Sequence, residues 1–226
     1  FVRAVTSHRL DYNVDVFPDP LPVVLDLLQV NDLVVPSSDP PVPPLPVRTV
    51  AEDAGWTLER LQHPFPRVSV VSTWRVVSTE DQALHAVTTP RFDPSSTVIL
   101  ERSPGLGLSG PASRSRAGSA TYEPLGLQSA RISITTPFPA IVLVRTPFDE
   151  GWHASVDGEP AQVLAADYVV QGIPVQAGSH TIVVSYVDPS IGYGLAASAA
   201  SISVLLAAAI ALGLRSRRAR SLDPSP

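Results

Sequence analysis

The feature that most constrains this chain is its longest uncharged stretch. Ile191 to Leu214 reads IGYGLAASAASISVLLAAAIALGL, 24 residues without a charge. As a helix at about 1.5 Å per residue it covers the roughly 30 Å hydrocarbon core of a bilayer, with length left for tilt. The next residues, RSRRAR (Arg215 to Arg220), hold four arginines in six positions, and clustered basic residues beside an apolar span mark its cytoplasmic end. An Ala-rich buried helix of a soluble protein is the competing reading, and the arginine cluster weighs against it. Charge is divided accordingly. Up to Ser190 there are 12 arginines against 20 acids, a net of −8, whereas the tail, with four arginines and Asp223, carries +3. Residues 1–190 are therefore expected outside the cytoplasm and the tail inside. An acidic domain without a basic stripe is a poor nucleic-acid binder. Gly194, Ser198 and Ser201 among the alanines suit close helix packing, so the expected partners are the lipid bilayer and other membrane helices of the same parent chain.

The 226 residues include no methionine and begin with Phe1, so the expectation is a C-terminal piece of a longer membrane protein. Without cysteine there is no disulfide framework and no thiolate metal site. Twenty-four prolines favour strands and loops over a helical bundle. LPVVLDLLQVNDLVVP (21–36) reads as a short helix running into a short buried strand, and SSDPPVPPLP (37–46) as a loop or polyproline stretch. GWTLERLQ (55–62) and RVSVVSTWRVVS (67–78) are strand-like, STEDQALHAVTT (78–89) is a capped amphipathic helix, and STVILE follows as a strand. From Ala120 to Val187 six strand candidates, ARISIT, AIVLVR, WHASV, AQVLA, DYVVQGI and HTIVVSYV, alternate with Pro or Gly signals. The expected fold is mainly β: an antiparallel β-sandwich or jelly-roll-like domain with a few short helices, then one C-terminal transmembrane helix. Asp157-Gly158 and VQAGSH (175–180) read as tight turns between strands.

The chemical residues give few sharp signals. Ser103 to Ser119 is a Gly/Ser/Arg-rich loop in which Gly105, Gly107 and Gly110 formally match a dinucleotide fingerprint, but no helical period follows and no acid lies about 20 residues on. Ser109 lacks the strand–elbow–helix setting of a hydrolase nucleophile. Glu52-Asp53, Glu80-Asp81 and Asp149-Glu150 are adjacent carboxylates whose side chains diverge. His153 and His180 could ligate a metal only if the fold joins them; no metal site and no cofactor are expected. Trp152, His153 and Tyr168 are the candidate glycan contacts. Aromatic faces suit pyranose rings, although Trp152 and Tyr168 could equally plug the core.

The long blocks PRVSVVSTWRVVSTEDQALHAVTTPRFDPSSTVILE and GWHASVDGEPAQVLAADYVVQGIPVQAGSHTIVVSYVDPSIGYG, followed by a membrane helix, resemble the C-terminal region of the YfhO family. These are bacterial multi-spanning membrane proteins similar to GT-C-type glycosyltransferases. The matching positions are Pro66-Arg67, Phe92-Asp93-Pro94 with Glu101, Gly151-Trp152 through Asp157-Gly158, and Gly178 with His180, Tyr186 and Pro189. The pattern departs at Phe148-Asp149-Glu150, where the family commonly has an aromatic and a proline. The resemblance implies a parent that transfers sugar from a polyprenyl-phosphate donor to cell-envelope glycans, with its catalytic carboxylate in an early loop outside this sequence. It makes Gly151, Asp157, Gly158, Gly178 and Tyr186 structural motif residues and leaves no catalytic residue here. A structural, glycan-binding or transport module without transferase activity is the alternative. The expected segments are 1–47, an α/β segment with a Pro-rich linker; 48–102, a strand–helix–strand part; 103–119, the loop; 120–188, the sandwich; 189–214, the membrane helix; and 215–226, the tail.

Overall fold

The computed structural model describes residues 22–38, 46–107 and 118–221. Contacts divide the chain into two compact units, Phe1–Tyr186 and Val187–Pro226. Among its described residues the first is mostly β and holds three sheets.

Helix α1 (Pro22–Leu27) leads to strand β1 (Asp32–Pro36), which forms a three-stranded antiparallel sheet with β2 (Val47–Asp53) and β3 (Trp56–Leu61) in the order β1-β3-β2. The expected buried strand at 32–36 is not buried: Val34 is 65% exposed, because β1 is an edge strand. β2 is also an exposed edge, and its polar sequence VRTVAED gave no strand signal.

RVSVVSTWRVVS is two strands rather than one, β4 (Val68–Val71) and β5 (Trp74–Val76). They sit at opposite edges of a six-stranded sheet ordered β4-β9-β13-β12-β6-β5, where β6 is Val98–Leu100, β9 Ala140–Pro147, β12 Leu164–Ala166 and β13 Val170–Val175. Only Ser72 and Thr73 separate those edges. Three Cα steps reach about 11 Å at most, whereas five strand spacings in a flat sheet need about 24 Å. The sheet must therefore curl round on itself. Val71, Trp74, Leu100, Ile141, Leu143 and Ala166 share one cluster, which the curl encloses. Gly172 makes the curl possible: a Cβ there would lie 3.0 Å from Ala166 Cβ and 3.1 Å from Ile141 Cγ2. All pairs in this sheet are antiparallel except β5 with β6, which is parallel.

The five-stranded antiparallel sheet is ordered β11-β10-β14-β8-β7, from β7 (Ser119–Gly126), β8 (Ser129–Thr136), β10 (Trp152–Val156), β11 (Glu159–Ala161) and β14 (Gly178–Tyr186). On β8 the period of two is plain, with Ala130, Ile132 and Ile134 buried and Arg131, Ser133 and Thr135 exposed. These residues meet Val142 and Val144 of β9, Ile173 and Val175 of β13, and Val68 and Val70 of β4, closing the sandwich core. β9 is buried on both faces, which explains its unbroken apolar run AIVLV.

Two connections differ from the sequence expectation. DYVVQGI does not begin as a strand, since Asp167 (φ +46°) and Tyr168 (φ +72°) form a left-handed turn between β12 and β13. VQAGSH is not a hairpin turn but carries the chain from β13 in one sheet to β14 in the other. On the outer side of the curled sheet, helix α2 (Glu80–Val87) and α1 pack Ala83, Val87 and Leu27 over Ile99. Thr79 caps α2 by accepting the Gln82 N–H at 3.2 Å, and Gln82 Oε1 accepts the Ser78 N–H at 3.0 Å, a reciprocal cap. The early acids Glu80 and Asp81 fall in the first turn, where the helix dipole favours them.

The second unit is helix α3 (Pro189–Ser221), which starts after Asp188 accepts both the N–H and the hydroxyl of Ser190. Ser190–Leu212 is long and apolar enough to cross a membrane, with a mean hydropathy of 2.2. The helix continues through the arginine cluster instead of ending before it.

Candidate functional site

The hairpin in GWHASVDGEP forms as the Asp-Gly pair requires. Val156 faces Glu159 across the turn, with Asp157 at φ +53° and Gly158 at φ +91°, the signature of a type I′ turn. Asp157 does more than turn the chain. One carboxylate oxygen meets His180 Nδ1 at 2.6 Å and the other accepts the Thr181 N–H at 2.8 Å. His180 first, and then the Thr181 amide, hold the Asp157 carboxyl below its ordinary value. The other ring nitrogen, Nε2, is buried without a hydrogen-bond partner. It rests on Gly178 (φ +141°), where a Cβ would come within 3.2 Å of it. Asp157, Gly158, Gly178 and His180 thus form one lock tying the β10–β11 turn to the start of β14. An open recess of about 550 Å³ lies beside the lock, between it and the Ser103–Leu106 segment.

The opposite end of β10 carries the more chemical surface. Trp152, Ala154 and Val156 turn inward on alternate positions, and Trp152 faces Tyr186 of β14 with ring centroids 5.3 Å apart at 59°. Such an aromatic pair contributes about 0.5–1.5 kcal/mol beyond its buried area. Asp149 positions the indole: its side chain accepts the Gly151 N–H at 2.8 Å and its carbonyl accepts the Trp152 N–H at 3.1 Å. The Phe148-Asp149-Glu150 segment is thus a tight turn made by an aspartate. Beside it a recess of about 310 Å³ is lined by Trp152, Phe148, Asp149, Glu150, Glu101 and Arg102, among others. Burial, and then the nearby Glu80, push the Glu101 carboxyl up. An indole bordered by several carboxylates and one arginine suits a ligand with an apolar face and many hydroxyls. On the other side of Trp152, a cavity of about 80 Å³ holds Arg67, Tyr122, Thr146 and the fully buried Gln171. Arg67 donates to Gln29 Oε1 and Thr146 Oγ1 and lies 5.8 Å from the Tyr122 ring centre.

The three candidate glycan contacts do not converge. His153 faces outward from β10 opposite Ser185, on the reverse side from Trp152, and five register positions separate Ser185 from His180. Tyr168 packs over the α1–α2 cluster and bonds Glu80, with burial and that bond pushing its hydroxyl up. Among the described residues no group of three or more His, Asp or Glu could hold a metal ion. Gly105 and Gly107 adopt positive φ, but the next element among the described residues is strand β7, not the helix that a dinucleotide site needs. Gly110 and Ser109 lie outside the described residues.

A group the sequence did not flag is Asp167, fully buried in its left-handed turn. Its N–H donates to the Ile99 carbonyl at 2.8 Å and its Oδ1 accepts the Ile99 N–H at 2.7 Å, so the side chain completes the β6–β12 ladder. Oδ2 has no partner, and burial pushes this carboxyl up to about 7. Burial of its own guanidinium lowers Arg145, which donates to the Pro66 carbonyl and Ser69 Oγ, each at 2.9 Å.

Residues 128–198, running from the β7–β8 turn through β14 into α3, match the family model described as bacterial membrane protein YfhO. The match covers the segment that carries Gly151-Trp152, Asp157-Gly158, Gly178, His180 and Tyr186, and it bears out the resemblance to the C-terminal region of that family. No curated protein and no solved structure matches the chain. The family match and the apolar helix together mark a membrane protein.

Proposed function

We propose that this chain is the extracytoplasmic C-terminal domain and last membrane helix of a polyprenyl-phosphate-sugar-dependent glycosyltransferase acting on cell-envelope glycans. Residues 1–190 lie outside the cytoplasm and the arginine-rich tail inside, in keeping with the basic cluster after the span. The domain is itself non-catalytic. Supporting that, the Asp157–His180 pair is consumed by a structural lock, with the second ring nitrogen closed against Gly178. Its task is to hold glycan at the recess beside Trp152, where an indole and the carboxylates of Glu101, Asp149 and Glu150 line one surface.

The observation that carries this reading is the family match over 128–198 together with that recess. The test is titration of the full chain, reconstituted in lipid nanodiscs, with envelope oligosaccharides and with a polyprenyl-phosphate sugar. Binding that weakens about two- to twelvefold in Trp152→Ala, but not in His153→Ala, is expected, since one stacked aromatic contributes about 0.5–1.5 kcal/mol. A folded chain that binds none of these would instead point to a structural or transport module.

A further inference from the structure

We propose that the tip of the β7–β8 hairpin, Leu125 to Leu127, inserts into the lipid headgroup region of the membrane that α3 enters. The tip is the uncharged run PLGLQ (124–128), with Leu127 fully exposed at 106% and Leu125 at 45%. Leu127 and Gln128 form a two-residue turn between Gly126 and Ser129, and a register shift after Pro124 bends the end of β7. An exposed leucine alone is ordinary, but the covalent neighbourhood of this one is not. The Tyr186 N–H donates to the Gln128 carbonyl at 2.9 Å, so the last residue of β14 is tied to the hairpin tip. Only Val187, Asp188 and Pro189 then separate Tyr186 from Ser190, where the membrane-compatible segment begins. Four Cα steps reach about 14 Å at most, so Tyr186 can lie no further than that from the start of the membrane-compatible segment.

The surrounding residues fit an interfacial position. Tyr122, 36% exposed on β7, is an aromatic side chain of the kind that gathers at headgroup level. The nearest charges on the hairpin, Glu123 and Arg131, neutralise one another at 3.0 Å. The opposite end of the sheet offers an internal comparison. Phe138, in the PFP connection after β8, is exposed at 46% and equally apolar, but it lies beyond Thr136, which pairs with Gly178 at the start of β14. Eight residues of strand, about 27 Å, separate the two ends of β14.

The chain contains no cysteine, so a single introduced thiol can be labelled cleanly. Leu127→Cys, Phe138→Cys and Leu205→Cys, each carrying an NBD fluorophore, are reconstituted as full chains into vesicles containing shallow or deep doxyl-labelled lipid. The label at 205 reports insertion of α3 and is quenched by the deep probe. A blue-shifted label at 127 that is quenched by the shallow probe, with an unshifted and unquenched label at 138, is the expected result. Equal quenching at 127 and 138, quenching at 138 alone, or a water-like label at 127 in vesicles where 205 is quenched would overturn the proposal. No quenching at 205 removes the span, and the proposal with it.

Discussion

Replacing Asp167 by asparagine should change how stability depends on pH, by an amount set by the burial of one carboxyl. Asp167 is fully buried, accepts the Ile99 N–H through Oδ1, and has a carboxyl pushed from an ordinary 3.8 up to about 7. Folded protein therefore keeps a proton between those values that the unfolded chain has released. Stability consequently falls as pH rises from 3.8 towards 7, and this group adds no further change above it. A shift of about 3 units, at about 1.36 kcal/mol each, corresponds to roughly 4 kcal/mol lost across that window. Asparagine keeps the acceptor for Ile99, tolerates φ +46°, and cannot ionise. Urea unfolding of the two 226-residue chains in the same detergent, followed across about pH 4 to 8, isolates the group because every other titration is shared. The difference should be small at the acid end and favour Asp167→Asn by up to about 4 kcal/mol at the alkaline end. A constant difference across that range would refute the assignment of the buried proton to Asp167.

Gly172→Ala should cost about 1–3 kcal/mol by overpacking, since its Cβ would press on Ala166 and Ile141 inside the curled sheet; a lower urea midpoint at unchanged slope checks this. Gly178→Ala should displace the His180 ring, and loss of the Asp157–His180 contact would appear as a changed imidazole resonance in NMR spectra. Thr79→Ala removes the α2 cap and should destabilise by about 1 kcal/mol, with Thr79→Ser recovering most of it.

Much of this architecture was visible where local pattern and tertiary environment agree. ARISIT alternates because β8 has one buried face, AIVLVR is unbroken because β9 has two, and Asp157-Gly158 announces a turn that only positive φ can make. The failures have physical causes too. β2 and β7 are exposed edges, whose residues follow solvent rather than core and leave no apolar period. VQAGSH looks like a hairpin because Gly178 signals a special φ, but local sequence cannot tell a turn within one sheet from a crossing between two. The site was less legible still. Trp152 lines a recess, yet its acidic neighbours Glu101 and Glu150 come from segments 49 residues apart. Asp167 is invisible in the sequence because its chemistry arises from burial under elements distant in the chain.

The curled sheet also dictates an order of assembly. The five-stranded sheet draws all its strands from 119–186, and three of its four pairings join strands within about 30 residues in sequence or next to one another. β4 and β9 are different, since Val68 pairs with Val144 across a loop of 76 residues. Closing a loop of that length costs little more in free energy than closing a short one, but such non-local contacts form slowly. Val68–Val76, synthesised early, must therefore wait for β9 at one edge while β5 joins β6 at the other, and until then two apolar strand edges stand open. The β4–β9 ladder, which spans the longest loop among the described strand pairings, is therefore the contact on which closure of the curled sheet depends.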